Sequence, residues 1–185
     1  MSTTPTYGFH YPALGDAPDV PQWVQDLAED VEAVLTPVTP VTAKFATGAL
    51  ATTTQNTSGT TTSTSYTATL TGGTTCSLTF VAPPSGQVMV HNTVNLSNTL
   101  TSGVLMSFEI RAGAVVGSGT VFQAADDQNT NQSSGVAGVG NRATVSTPIT
   151  GLTPGATYNI RQMFRVSAGT GTYISKRLTV VPLFF

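Results

Sequence analysis

A chain of 185 residues with a formal net charge of −2 and 9% charged side chains, against about 25% in an ordinary globular domain, has room for one core domain plus an appendage. Its seven Lys+Arg, single cysteine and mean hydropathy of +0.11 exclude a basic nucleic-acid binder, a disulfide-stapled scaffold and a disordered chain. No apolar run approaches the ~18 residues of a membrane span, and the 34 threonines favour an all-β protein, because a β-branched side chain suits a pleated, half-wet strand.

Charge divides the chain. Residues 1–43 carry Asp16, Asp19, Asp26, Glu29, Asp30 and Glu32 without a single Lys or Arg, giving −6, whereas residues 44–185 set seven cations against Glu109, Asp126 and Asp127, giving +4. Met1-Ser2-Thr3-Thr4-Pro5 lacks the basic and apolar regions of a signal peptide, so export by that route is not expected. The stretch Thr4–Pro12 cannot be a helix, since two prolines and a glycine bracket its aromatic residues. It reads as an extended arm presenting Tyr7, Phe9 and Tyr11. A helix follows, opened at Asp19 or Val20 with Pro21 in its first turn and stopped by Thr36-Pro37. Val20, Trp23, Val24, Leu27, Val31, Val34 and Leu35 recur at 3/4 spacing, with most of the acids opposite. At about fifteen residues it needs a surface to dock on. Residues 1–36 are therefore expected to form an attachment module, and residues 37–65, rich in Pro and then Thr, a linker with one strand near Lys44–Leu50.

Residues 66–185 read as a β head. Tyr66/Ala68/Leu70 and Cys76/Leu78/Phe80 alternate, and Val88/Val90/Val94/Leu96 share a face opposite Met89, His91 and Thr93. Met106/Phe108/Ile110 alternate with Ser107, Glu109 and Arg111, Val121-Phe122 mark a short strand, and Ala143/Val145/Thr147/Ile149 another. Tyr158/Ile160/Phe164/Val166 oppose Asn159, Arg161, Met163 and Arg165, and Ile174/Leu178/Val180 line the last strand. Eight strands with one apolar face each, separated by short turns, predict an antiparallel, jelly-roll-like β-sandwich. The long helices that a parallel sheet requires are missing from the pattern.

No catalytic constellation accompanies these strands. The nucleophile-elbow, phosphate-loop and H-E-x-x-H patterns are absent, and His10 and His91 lie in different modules with no Cys pair to complete a zinc site. No metal or cofactor is expected. Asp126-Asp127-Gln128-Asn129-Thr130-Asn131 is oxygen-rich but lacks the spacing of an EF-hand loop, so a bound calcium ion and a plain surface loop both stay open. Cys76 reads as a small buried hydrophobe, and Glu109 as an ordinary solvated residue. Arg161 and Arg165 share one face of one strand, and Lys176-Arg177 lies on the next. Paired, these strands would gather a patch for anionic polymers such as host cell-wall glycans.

Two N-terminal pieces, Thr4–Pro12 and the helix from Asp19 to Leu35 with its Asp26-Leu-Ala-Glu-Asp-Val31 core, resemble the opening of small virion proteins of tailed phages of actinobacteria. Phe80–Val90, Phe108–Arg111, Gly151-Leu-Thr-Pro-Gly-Ala-Thr-Tyr158 and Thr179–Leu183 resemble the head domains of that group, although the Gly-Leu-Thr-Pro-Gly-x-x-Tyr turn also occurs in fibronectin-like sandwiches. The resemblance implies a non-enzymatic virion component, often trimeric, of the minor tail, head-fibre or decoration type. Such a protein is attached to the major capsid or tail protein by its N-terminus and exposed on the virion surface after assembly in the host cytoplasm. Tyr7, Phe9, Tyr11, Trp23, Val24, Leu27 and Val31 would form the attachment interface, and Arg161, Arg165, Lys176 and Arg177 an anionic-ligand patch. Head and tail locations are left open by these residues. The competing class is a secreted carbohydrate-binding or carbohydrate-active module, against which the missing acid/base pair and signal peptide count.

Overall fold

The computed structural model describes residues 2–3, 10–11, 24, 28–29, 31, 50–133 and 136–183. The chain divides into two compact units, Met1–Ala46 and Thr47–Phe185. In the first, strands β1 (Ser2–Thr3) and β2 (His10–Tyr11) pair antiparallel. Val24, Ala28, Glu29 and Val31 are helical, as the 3/4 spacing predicts. Tyr7, Phe9, Trp23 and Leu27 lie outside the described residues.

The second unit is an antiparallel β-sandwich. Its strands are β3 (Ala51–Gln55), β4 (Gly59–Thr61), β5 (Ser77–Val81), β6 (Val88–Asn98) and β7 (Val104–Ala112). They are followed by β8 (Val121–Gln123), β9 (Asn131–Ser133), β10 (Asn141–Ile149), β11 (Thr157–Val166) and β12 (Gly171–Pro182). One sheet runs β10-β6-β12-β3, with β4 also on β12, and the other β5-β11-β7-β8, with β9 also on β7. First pairs with last and inward from there: β3 with β12, β5 with β11, β6 with β10, β7 with β8 and β9. That is a long antiparallel hairpin rolled so that β12 also meets β6 and β11 also meets β7, which defines a jelly roll.

The alternating residues fall where their periodicity puts them: Val88, Val90, Val94 and Leu96 are buried while Met89, His91 and Thr93 point outward. Three expectations give way. Residues 51–61 are not linker but β3 and β4, held by ladder bonds to β12 rather than by an apolar stripe. Tyr66–Leu70 is no strand; its backbone joins the sheets at the isolated Thr67–Phe164 bridge. The expected strand at Lys44–Leu50 falls mostly outside the described residues, and Leu50 is not part of one.

The third correction concerns β12. Its pairing with β6 shifts between Ile174 and Arg177, where Ser175 takes φ 52°. Two residues there oppose one, and this bulge flips the alternation. Tyr173 and Lys176 point inward and Ile174 outward, contrary to the Ile174/Leu178/Val180 stripe. β12 continues to Pro182, and its Val180 lies in the core of the sandwich.

The core is in two parts. Phe80, Val88, Val90, Phe108, Ile110, Tyr158, Ile160, Leu178 and Val180 belong to one cluster, while Leu70, Val94, Leu96, Val104, Met106, Phe164, Val166 and Tyr173 form the other. Between them sits a polar layer of Asn92 from β6, Gln162 from β11 and Lys176 from β12, all fully buried. The chain enters at Ala51 and leaves at Pro182 at the end of the first cluster. The Gly151–Tyr158 turn closes that end, its Tyr158 buried with the hydroxyl accepting a hydrogen bond from Thr153 N at 3.1 Å.

Candidate functional site

The two outer faces of the head differ in charge, covering and chemistry. On the β5-β11-β7 face, register places Arg161 directly opposite Glu109. Arg111 reaches the same carboxylate from the same strand, with its Nε 3.0 Å from Oε1 and Nη2 3.2 Å from Oε2, while Arg161 Nε donates to Oε1. Glu109 is therefore not solvated but buried between two guanidinium groups. Burial raises its pKa, the two arginines together lower it more, and the carboxyl ends below the usual glutamate range.

The segment after β8 lies over this face. Ser107 Oγ donates to Asn129 O at 3.0 Å and accepts from Asp126 N at 3.3 Å. Asp126 folds onto its own loop, its Oδ1 taking bonds from Gln128 N at 3.0 Å and Asn129 N at 2.8 Å, and its Oδ2 one from Gln123 Nε2 at 3.2 Å. These bonds close the loop as an Asx-type turn. Asp127 accepts from Arg165 and, at 2.8 Å, from the Tyr66 hydroxyl, and the Arg165 guanidinium lies 5.4 Å from the Tyr66 ring centroid. The hydrogen bonds from Arg165 and Tyr66 hold Asp127 below the ordinary aspartate range.

The expected anionic-ligand patch does not assemble. β11 pairs with β5 and β7, and β12 with β6, β3 and β4, so Arg161 and Arg165 lie on one sheet and Lys176 and Arg177 on the other. Arg161 and Arg165 are engaged by carboxylates. Lys176 is in the core, turned inward by the bulge, with Nζ donating to Thr57 O at 2.6 Å and Tyr173 O at 3.2 Å. Burial lowers its pKa. Cys76 packs beside it as the expected small hydrophobe, its thiol 3.3 Å from Lys176 O and pushed by burial up to about 11. Of the four cations only Arg177 faces water.

The β10-β6-β12-β3 face was not singled out by sequence, because its residues are common polar types that only the register gathers. Thr144, Thr93, Arg177 and Thr54 form one row across four strands, and Ser146, His91, Thr179 and Thr52 the next. Strands lie about 4.8 Å apart and the rows about 7 Å, so these side chains form a flat grid. Within it Thr93 and Thr144 hydroxyls are 2.9 Å apart, His91 Nδ1 and Ser146 Oγ 2.7 Å, and Thr52 and Thr179 hydroxyls 3.0 Å. Arg142, opposite Asn95, borders the rows.

Among the described residues no group of three or more His, Cys, Asp or Glu is placed to hold a metal, and no helix is long and apolar enough to cross a membrane. In the first unit Val24 and Val31 are exposed by 61% and 39%, on the same helical side as exposed Ala28.

The chain matches no protein-family model and no curated protein. Solved structures it is similar to include infectious bursal virus-derived T=1 particles, at 15% identity and TM-score 0.42 over 72% of this chain. The Gt strain of infectious bursal disease virus gives 12% and 0.40 over 72%, and Eiger TNF from S. frugiperda 8% and 0.40 over 73%. This chain spans about a third of the two viral chains, 31% and 33%, and 93% of the Eiger chain. Likenesses at these scores carry no functional weight.

Proposed function

We propose that the protein is a non-enzymatic structural component of a virion, a trimeric fibre or decoration protein of a tailed phage, held by its N-terminal unit and displaying the jelly-roll head. The observation that carries this reading is the exposed apolar stripe of Val24, Ala28 and Val31 in a stretch, residues 1–43, with six acids and no Lys or Arg. Three apolar residues on one helical side, exposed in a single copy, suit an interface with other copies or with a capsid or tail protein. The motifs Thr4–Pro12 and Asp26–Val31 point the same way by their resemblance to phage virion proteins.

The head supports a display role. All three of its carboxylates are committed to internal hydrogen bonds, leaving a sandwich whose reactive groups hold the fold together. Deleting residues 1–18, or substituting Val24→Asp and Val31→Asp, leaves a soluble head that no longer enters particles, read as copy number in purified virions. Incorporation at normal copy number defeats the attachment reading, and a clean monomer of the intact chain in sedimentation equilibrium at micromolar concentration defeats the trimer.

A further inference from the structure

We propose that the open face of the β10-β6-β12-β3 sheet binds an anionic, hydroxyl-bearing polymer of the polyol-phosphate or uronate kind. Charge segregation is the first support. Glu109, Asp126 and Asp127, the only carboxylates of residues 44–185, all belong to the opposite face or its covering loop. Arg142 and Arg177 stand exposed on the open face, and no carboxylate among the described residues engages either. Even a small positive field is then opposed by no carboxylate of that face.

Chemistry between the arginines is the second. Two neighbouring rows carry six threonine or serine hydroxyls, His91 and Arg177 without interruption by an apolar residue, and Thr52, Thr54, Thr144 and Ser146 are exposed. Each paired hydroxyl keeps a further lone pair or proton for a ligand. Neither row contains a Phe, Tyr or Trp, which disfavours sugar stacking and the base stacking of single-stranded nucleic acid. Arginine forks for anionic groups and hydroxyls for the backbone polyol are the complementary set. The assignment rests on the display role above only for its setting on a particle, where many weak heads act together.

The test uses the purified full-length chain on immobilised polygalacturonate, poly(glycerol phosphate), neutral dextran and single-stranded DNA. Retention is expected on one or both anionic polyols, not on dextran, and vanishes in 1 M salt, where screening acts over about 3 Å. R142A/R177A weakens it about fivefold or more while the melting temperature is unchanged, since exposed side chains outside any ion pair contribute little to stability. R165Q, on the opposite face, retains full binding. Equal retention of R142A/R177A, retention on dextran or DNA matching that on the anionic polyols, or none on either polyol overturns the assignment. Virion incorporation of R142A/R177A, measured alongside, stays normal, so failure of the binding face is distinguishable from failure of the virion reading.

Discussion

Glu109 shows how a single side chain changes meaning once register is known. By alternation it faces outward on β7, and its neighbours at i±2 are polar, so the sequence makes it a solvated residue. Cross-strand placement against Arg161 and lateral contact from Arg111 convert it into the centre of a three-member ion cluster beside the covering loop. Because its folded pKa lies below the unfolded one, the cluster's stabilisation is full above the ordinary glutamate range near pH 4.3 and is lost as pH falls below that range. Glu109→Gln leaves two guanidinium groups facing one another without their anion. Each arginine side chain is 25% exposed, so water relieves part of the penalty, and a loss of roughly 1–3 kcal/mol is expected. Urea unfolding from pH 7 down to pH 3 checks both points: the variant is weaker at pH 7 and its stability declines less toward acid. Identical slopes would mean that other carboxylates set the acid limb.

At the scale of the elements, the apolar halves of β6, β7 and β11 were legible because an alternating stripe is a physical demand of a two-sided sheet. β3 and β4 were not, since a Thr-rich edge strand is held by backbone bonds that composition does not reveal. The β12 bulge was equally hidden, as nothing in Ile174-Ser175-Lys176-Arg177 announces where pairing slips. The same slip turns Lys176 inward to join Asn92 and Gln162 in the polar layer that divides the core. There Gln162 Nε2 donates to Asn92 Oδ1 at 2.7 Å and Arg177 O at 3.2 Å, and Asn92 Nδ2 donates to Ser107 O at 3.2 Å. All three bonds cross from one sheet to the other, so the layer fixes how the sheets slide and rotate over each other. Asn92→Val continues the valine pattern of β6 yet strands a buried amide, and a loss of about 2 kcal/mol is expected. Adding Gln162→Leu removes the other partner, and the double variant should be more stable than Asn92→Val alone, because deleting both groups of a buried pair is milder than orphaning one. A purely additive loss in chemical unfolding would show that the two side chains act independently.

Over the whole molecule, acidity and apolar helix lie before residue 47 and the jelly roll after it, a division that the charge count anticipated and that the compact units place near Ala46 rather than at 65. The second unit contains every element of a self-sufficient fold: both clusters, the polar layer, and first and last strands paired to each other. Among the described residues, every member of both clusters lies after residue 47. A fragment of residues 47–185 is therefore expected to fold alone, with a cooperative melt within a few degrees of the intact protein's. If the helical stripe of Val24, Ala28 and Val31 drives self-association, the same fragment sediments as a monomer while the full chain is a trimer. The two readouts separate the possibilities. A fragment that aggregates or melts without cooperativity means the N-terminal unit covers part of the sandwich, whereas a fragment that folds and remains trimeric moves the subunit interface onto the head. There the exposed Val115, Val116, Val121 and Phe122 at the β7–β8 hairpin would be the first residues to substitute.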